Sequence, residues 1–355
     1  MPIVGITTDP YGEIYGYSLV FIRLFDYLSS KNRNLSYLLC NDGESSRRFT
    51  GENIIKITLR NKRNLFTKLF TLTVFFIQTT WKKFPKNSVI IVNSEIPELL
   101  AGAILKFKFK NTYCYLQDTR IRSKSIDQVL IHLLRMLLIF RINKIMFANK
   151  HTMMDVHTRL KYWLGDPVFL TTQKFIAPSI RSYPSTNAYF VGLPSEAKGI
   201  QDFAWLAKEF EGRIRFYWFT KYVSPELKSI YPHITFVVNL NDEQLVSHIQ
   251  KMNIFVNCSH FEGFSLPTAE ALFLEKCVLS YKLPEIHSSF GDYVTSYVKP
   301  FDLTVFKAVL IDYLDGTIGG DQIFLHHGKQ MIIERYSPDV VLNRMLEVIH
   351  AHYEK

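Results

Sequence analysis

The sequence predicts an α/β protein made of two Rossmann-like parallel-sheet domains, and three observations lead there. Ile254–Asn257 and Cys277–Tyr281 are short apolar runs with strand character. They are joined by the loop Glu262-Gly263-Phe264-Ser265 and by a helical pattern over Thr268–Lys276, with Pro267 placed as a first helical residue. Strand, glycine loop, helix, strand is the geometry of a parallel βαβ unit. Similar alternation of short apolar strands and helical stretches recurs along the rest of the chain. Finally, 355 residues exceed one compact core and point to two domains.

Taken in order, Ile3–Thr7 reads as the first strand. A turn-rich loop with Gly12 and Gly16 follows, then a helix over Leu19–Leu28 and a strand at Ser36–Cys40. Residues 54–59 (IIKITL) form another strand. Arg60–Phe84 holds six basic residues and no acidic one, with Leu65, Phe66, Leu69, Phe70 and Trp81 among its apolar positions. A helix there fits an anionic lipid surface and equally an ordinary helix packed on a sheet with solvated basic ends. The segment Leu130–Phe147 is basic and apolar in the same way. Val89–Val92 is a strand, Pro97–Lys106 a helix, and Thr112–Leu116 a strand ending in Gln117-Asp118. Ile145–Ala148 is expected to close the first sheet.

The second domain opens with the strand Ala188–Val191 and the turn Gly192…Lys198-Gly199. Arg215–Phe219 is its next strand, with Lys221 just beyond, then the strand Ile234–Val237 and the helix Asp242–Lys251. After the βαβ unit come Pro284-Glu285, an exposed polar loop at Ile286-His287, a helix over 302–314 and a flexible turn at Gly316–Asp321. Ser337 caps a last helix, Pro338–Tyr353. The expected division is a basic domain over 1–165, a linker over 166–187, a second domain over 188–336, and a helix over 337–355 that returns toward the first.

Composition narrows the classes. An apolar content of 47% is that of an ordinary globular protein. Residues 1–175 carry 26 Lys and Arg against 12 Asp and Glu, while the whole chain is at +10, so the first half is a basic body beside a mildly acidic one. Such a field draws a polyanion to the first half. No helix-turn-helix, zinc-finger or RNP-like pattern makes that polyanion a nucleic acid. Cys40, Cys114, Cys258 and Cys277 lie in or beside apolar runs without C-x-x-C spacing, as buried free thiols do in a reducing compartment. The N-terminal residues lack the basic and apolar regions of a signal peptide, and the apolar, uncharged run Leu69–Trp81 is short for a membrane span. A cytoplasmic protein is expected, free or peripheral at the inner face of the plasma membrane. There is no D-x-D, Walker loop, H-E-x-x-H or G-x-S-x-G, so no metal or cofactor is called for.

The candidate chemistry lies at the start of the helix after Pro267. Free N–H groups and the positive end of the helix dipole favour a phosphate there. Glu262 and Glu270 bracket that seat, and carboxylates grip vicinal hydroxyls through charge-assisted hydrogen bonds. A phosphate seat with hydroxyl acceptors beside it suits a nucleotide-sugar. The structural alternative is that Glu270 only stabilises a first turn and Glu262 is a loop residue. Asp118 at a strand end suits acceptor binding or proton acceptance, and equally a capped loop.

The nine residues E-G-F-S-L-P-T-A-E from Glu262 to Glu270 resemble the E-x7-E motif of retaining glycosyltransferases of family 4, whose fold, GT-B, has two Rossmann-like domains facing each other across a cleft. The resemblance implies that Glu262 lies beside the donor sugar and that Glu270 holds the ribose. The backbone at Gly263, Phe264, Ser265, Leu266 and Thr268 would face the diphosphate. The turn Gly192…Lys198-Gly199 resembles the family's diphosphate clamp, with Lys198 as its lysine; Leu193 stands where the family has arginine, and Lys221 is the nearest substitute. The Gly12 and Gly16 loop resembles the family's loop over donor and acceptor. By this resemblance the chain is a metal-independent hexosyltransferase that uses a UDP- or GDP-linked sugar. The basic first half points to a glycan or lipid-linked acceptor at an anionic membrane, as in assembly of bacterial capsule, O-antigen or lipopolysaccharide. An epimerase on the same fold, and an inactive membrane-associated partner subunit that Leu193 would explain, are the other classes the residues allow.

Overall fold

The computed structural model describes residues 2–8, 21, 24, 25, 27, 28, 36–40, 54–57, 84–94, 96–116, 126–156, 160–166 and 186–351. The chain divides into two compact units, Met1–Pro167 with Pro338–Lys355, and Val168–Ser337. The basic segment expected as a helix over residues 60–84 lies almost wholly outside the described residues.

The first unit contains a seven-stranded parallel sheet. Its strands are β1 (Ile3–Thr8), β2 (Ser36–Cys40), β3 (Ile54–Ile57), β4 (Val89–Asn93), β5 (Thr112–Leu116), β6 (Lys144–Phe147) and β7 (Leu160–Trp163), in the spatial order β3-β2-β1-β4-β5-β6-β7. Every residue of β4 and β5 is buried. Their unbroken apolar runs are what a parallel strand covered on both faces requires. The sheet does not close at Ile145–Ala148 as the sequence implied, because β7 pairs with β6 beyond it. As an edge strand β7 is only half-buried and carries Lys161, so it lacks the apolar signal of the strands inside.

Helices α1 (Ile96–Lys108) and α2 (Ile126–Ile142) follow β4 and β5. The basic stretch Leu130–Phe147 is therefore the end of α2 followed by a strand, rather than one helix. The helical residues Phe21, Leu24, Phe25 and Leu28 are buried, and the Phe25 ring lies so close to Gly5 that a Cβ there would come within 2.5 Å of it. A short helix α3 (Lys150–Asp155) is capped by Asn149, whose side chain accepts from the Thr152 N–H. The C-terminal helix, Pro338–His350, also belongs to this unit. Its Arg344 guanidinium donates to the Leu164 carbonyl and lies over the Trp163 ring.

The second unit contains a six-stranded parallel sheet of β8 (Thr186–Val191), β9 (Ile214–Thr220), β10 (Ile234–Val238), β11 (Ile254–Asn257), β12 (Cys277–Tyr281) and β13 (Ser296–Val298), ordered β10-β9-β8-β11-β12-β13. Chain order reverses between β8 and β11, which makes the ends of those two strands the switch point where ligands bind in such sheets. The helices are α4 (Ile200–Glu209), α5 (Pro225–Ile230), α6 (Asp242–Gln250), α7 (Leu266–Phe273), α8 (Pro284–Phe290), α9 (Leu303–Leu314) and α10 (Gln322–Tyr336). Helix α7 begins one residue earlier than the sequence implied, so Pro267 is its second residue.

Three of these helices depart from the sequence expectation. Ile286 and His287 lie in α8, with Ile286 buried, and not in an exposed polar loop, because Pro284 starts a helical turn there. Helix α10 follows the Gly316–Asp321 turn, and the Asp321 carboxylate caps it by accepting from the N–H groups of Ile323 and Phe324. The adjacent histidines and Gly328 obscure its helical period; Gly328 faces Leu272, where a Cβ would make an ordinary van der Waals contact. Helix α5 is short and buries none of its residues, so its apolar pattern is weak.

Candidate functional site

The two segments that the sequence singled out in the second unit meet at its switch point. Gly192 to Gly199 follows β8, and residues 258–265 follow β11. The strands themselves pair, with Ile254 beside Ala188 and Phe255 beside Tyr189. Beyond their ends the backbone of His260 donates to the Ala197 carbonyl at 3.0 Å. Gly199 sits at φ +67°, and the Cys258 carbonyl oxygen occupies the space any Cβ would need. Only glycine allows this approach.

That approach brings Lys198 to Glu262. The Lys198 ammonium donates to Glu262 Oε1 at 2.7 Å, and the Ser259 hydroxyl donates to the same oxygen at 2.8 Å. The Glu262 side chain is 6% exposed and the Lys198 side chain 31%, so the carboxylate is fixed while the ammonium still reaches solvent. A charge-assisted pair with a second donor on the same oxygen holds Glu262 in one orientation.

Beneath it, Asn257 at the end of β11 ties the loop to α7. Its side-chain Oδ1 accepts from the Ser259 N–H, and its side-chain Nδ2 donates to Thr268 Oγ1 at 3.2 Å and, more weakly, to Ser265 Oγ at 3.4 Å. The Ser265 and Thr268 hydroxyls bond each other at 2.8 Å. Ser265 is held left-handed at φ +71°, uncommon for a residue with a Cβ, and these bonds compensate. The Thr268 N–H donates to the Ser265 carbonyl and Pro267 has none. The main-chain donors available to an anion before this helix thus come from residues ahead of Pro267. Phe264 is buried against Phe290 and Tyr336, which anchors the loop from below.

Glu270 lies one turn into α7 and is half-buried. Burial raises the Tyr189 phenol well above its ordinary value, and the Glu270 charge adds to that. Glu270 therefore lies within electrostatic reach of the buried Tyr189 of β8. Lys221 is exposed just after β9, and Leu193 is exposed beside Gly192. Gly12, Gly16 and Asp118 lie outside the described residues.

Sequence reasoning missed a second polar group behind the Lys198 turn. Asp202 Oδ2 accepts from the Tyr281 hydroxyl at 2.8 Å and stands 2.8 Å from His260 Nε2. The His260 ring also packs on Phe301, with centroids 4.5 Å apart. Burial lifts the Cys258 thiol between these groups well above its usual range, and the Asp202 charge lifts it further, so it is an inert thiol. Polar residues such as Asn257 and Ser259 at the end of an apolar strand were the available signal. Among the described residues no group of three His, Cys, Asp or Glu side chains is arranged to hold a metal.

Residues 225–317 match the family model for glycosyl transferases group 1. The matched segment contains Glu262 through Glu270 and Pro284-Glu285, and leaves out the Lys198 turn. No curated protein sequence gives a significant match. Among solved structures, the chain is similar to the sucrose-phosphate synthase of Thermosynechococcus elongatus, at 14% identity and TM-score 0.74, covering 99% of each chain. It is also similar to HepE of Anabaena in complex with UDP-glucose, at 12% identity and TM-score 0.75, covering 99% of this chain and 100% of that one. A third is the lipopolysaccharide outer core galactosyltransferase WaaB, at 14% identity and TM-score 0.67, covering 99% and 100%. At such identities the likeness shows the fold, two parallel-sheet α/β domains of the GT-B kind.

Proposed function

We propose that the chain is a retaining, metal-independent glycosyltransferase of the family 4 type. It takes a sugar from a UDP- or GDP-linked donor to a glycan or lipid-linked acceptor in bacterial surface polysaccharide assembly. The observation that carries this reading is the Lys198–Glu262 pair at the switch point of the second sheet, inside a loop network that fixes both groups. An arriving diphosphate offers the Lys198 ammonium a second anion, and Glu262 is left oriented to accept from the sugar hydroxyls. Lys198 stabilises the leaving diphosphate as the glycosidic bond breaks, with Lys221 and the N–H groups of residues 263–266 adding to it. Glu262 positions the sugar rather than attacking it, Glu270 takes the ribose, and Asp118 serves the acceptor. Neighbours bound to UDP and UDP-glucose support the donor class. The basic first half and a neighbour named for lipopolysaccharide support the acceptor class.

Titration calorimetry with a panel of UDP- and GDP-sugars tests this. Wild type is expected to bind one donor, and Glu262→Gln and Lys198→Met are each expected to weaken that binding at least tenfold, about 1.4 kcal/mol. Full turnover by a variant lacking both Glu262 and Glu270 carboxylates would overturn the assignment. Leu193 in the arginine position favours one second reading, an inactive partner subunit. Such a subunit binds no donor in the same titration.

A further inference from the structure

We propose that the outward face of α1 and α2 is a docking surface for an anionic lipid bilayer. Both helices carry apolar residues on two sides. Their inward sides supply the core residues Leu99, Leu105, Ile139 and Ile142. Their outward sides place Leu100, Ile104 and Phe107 on α1, and Leu133, Leu137 and Phe140 on α2, each at positions i, i+4 and i+7. All six are exposed, Phe107 at 77%, Leu137 at 68% and Phe140 at 66%. A helix that needs only one buried side does not carry such a stripe on the other, and runs of exposed apolar side chains on adjacent helices mark an interaction site.

The charges say what covers it. The two helices are joined at their C-terminal ends, where the Lys106 ammonium donates to the carbonyls of Arg141 and Ile142, both at 2.7 Å. The Arg141 guanidinium lies over the Phe107 ring, and Lys108 and Lys110 are exposed beside it. Glu98, the acidic residue of α1, is buried, and no Asp or Glu occurs from residue 99 to 117 or from 128 to 154. Exposed apolar side chains with cations at one end and no anion among them fit lipid tails beneath phosphate headgroups, with Lys and Arg stems reaching up to the phosphates. A second copy of this face would bring like charges together, which disfavours a symmetric dimer. At 13 and 17 residues these helices are too short to span, and no described helix is long and apolar enough to cross a membrane, so they lie along the surface. This face rests on the reading of a lipid-linked acceptor for its purpose, but binding to lipid needs neither donor nor turnover.

The test is flotation of the full chain with phosphatidylcholine vesicles, with and without phosphatidylglycerol, at low and high salt. The expected result is binding that requires phosphatidylglycerol and weakens with salt. Leu137→Ser combined with Phe140→Ser should lower it at least tenfold, and Lys108→Gln with Lys110→Gln by about fivefold per cation. All four side chains are exposed, so the melting temperature and donor titration of these variants should match wild type. Failure of wild type to bind the anionic vesicles would overturn the docking face, as would equal binding by the apolar variant. A dimer in light scattering that Leu137→Ser with Phe140→Ser dissolves would instead assign the face to a protein partner and overturn it too. Absence of donor binding alongside intact vesicle binding would refute the transferase reading and leave the docking face standing.

Discussion

Replacing Gly199 with alanine separates two physical terms at the centre of the site. The residue sits at φ +67° and ψ +35°, a left-handed conformation that penalises any L side chain by about 1–2 kcal/mol. An added Cβ would also stand 1.9 Å from the Cys258 carbonyl oxygen and 2.6 Å from its carbon. The obstacle is main chain and cannot rotate away, so the Lys198 turn and the loop after β11 must move apart. Forcing an extra carbon into a packed interior costs about 1–3 kcal/mol. The sum is about 3 kcal/mol, or a fall of roughly 6–12 °C in the melting temperature of a unit this size. Gly212 provides the control, because it has a φ of +80° and nothing within 4 Å of its Cβ position. Gly212→Ala is expected to lose only the backbone term. Thermal and urea unfolding of both variants, with donor titration, give the comparison. Gly199→Ala should be the less stable by about 2 kcal/mol and should also bind donor more weakly, since the Lys198–Glu262 pair depends on that approach. Equal stability of the two variants would refute the close-packed account of this turn.

Two further outcomes can be checked. Burial lifts the Asp166 carboxyl from 3.8 to about 7, against the opposing hydrogen bond from the Tyr115 hydroxyl at 2.6 Å. The folded chain therefore holds a proton that the unfolded chain has released, and stability should fall as pH rises from about 4 to about 7, by at most about 4 kcal/mol. Asp166→Asn keeps an acceptor for Tyr115 and should flatten that profile, stabilising the protein above pH 7; parallel melting curves for variant and wild type at every pH would contradict this. Leu193→Arg adds a cation beside the proposed diphosphate-binding turn, and should tighten donor binding by about tenfold, read by calorimetry, as one charge-assisted hydrogen bond would. An unchanged dissociation constant would place the diphosphate away from Leu193.

Much of the architecture follows from local chemistry that a linear reading can see. Ile254–Asn257 and Cys277–Tyr281 are strands over the very residues their apolar runs marked, because a parallel strand covered on both faces has no polar side to dilute the signal. The edge strands β7 and β13 are half-exposed and short, and their residues carry little such signal. Helix α10 was hidden for another reason, since Gly328 sits on its buried face while Ile323 and Ile333 are exposed on the other side, which blurs the apolar period.

In the site, the sequence by itself determined residue types: a lysine before a glycine, and two carboxylates eight residues apart around a helix start. It could not determine that Lys198 and Glu262 touch, because 64 positions and three crossovers separate them. Nor could it show that Asn257 and Ser259 organise the loop or that Asp202 receives both Tyr281 and His260. Such contacts exist only once β8 and β11 lie side by side. Hydrogen bonds and steric exclusion act over a few ångströms in space, and the parallel pairing of those strands is what converts distance along the chain into proximity.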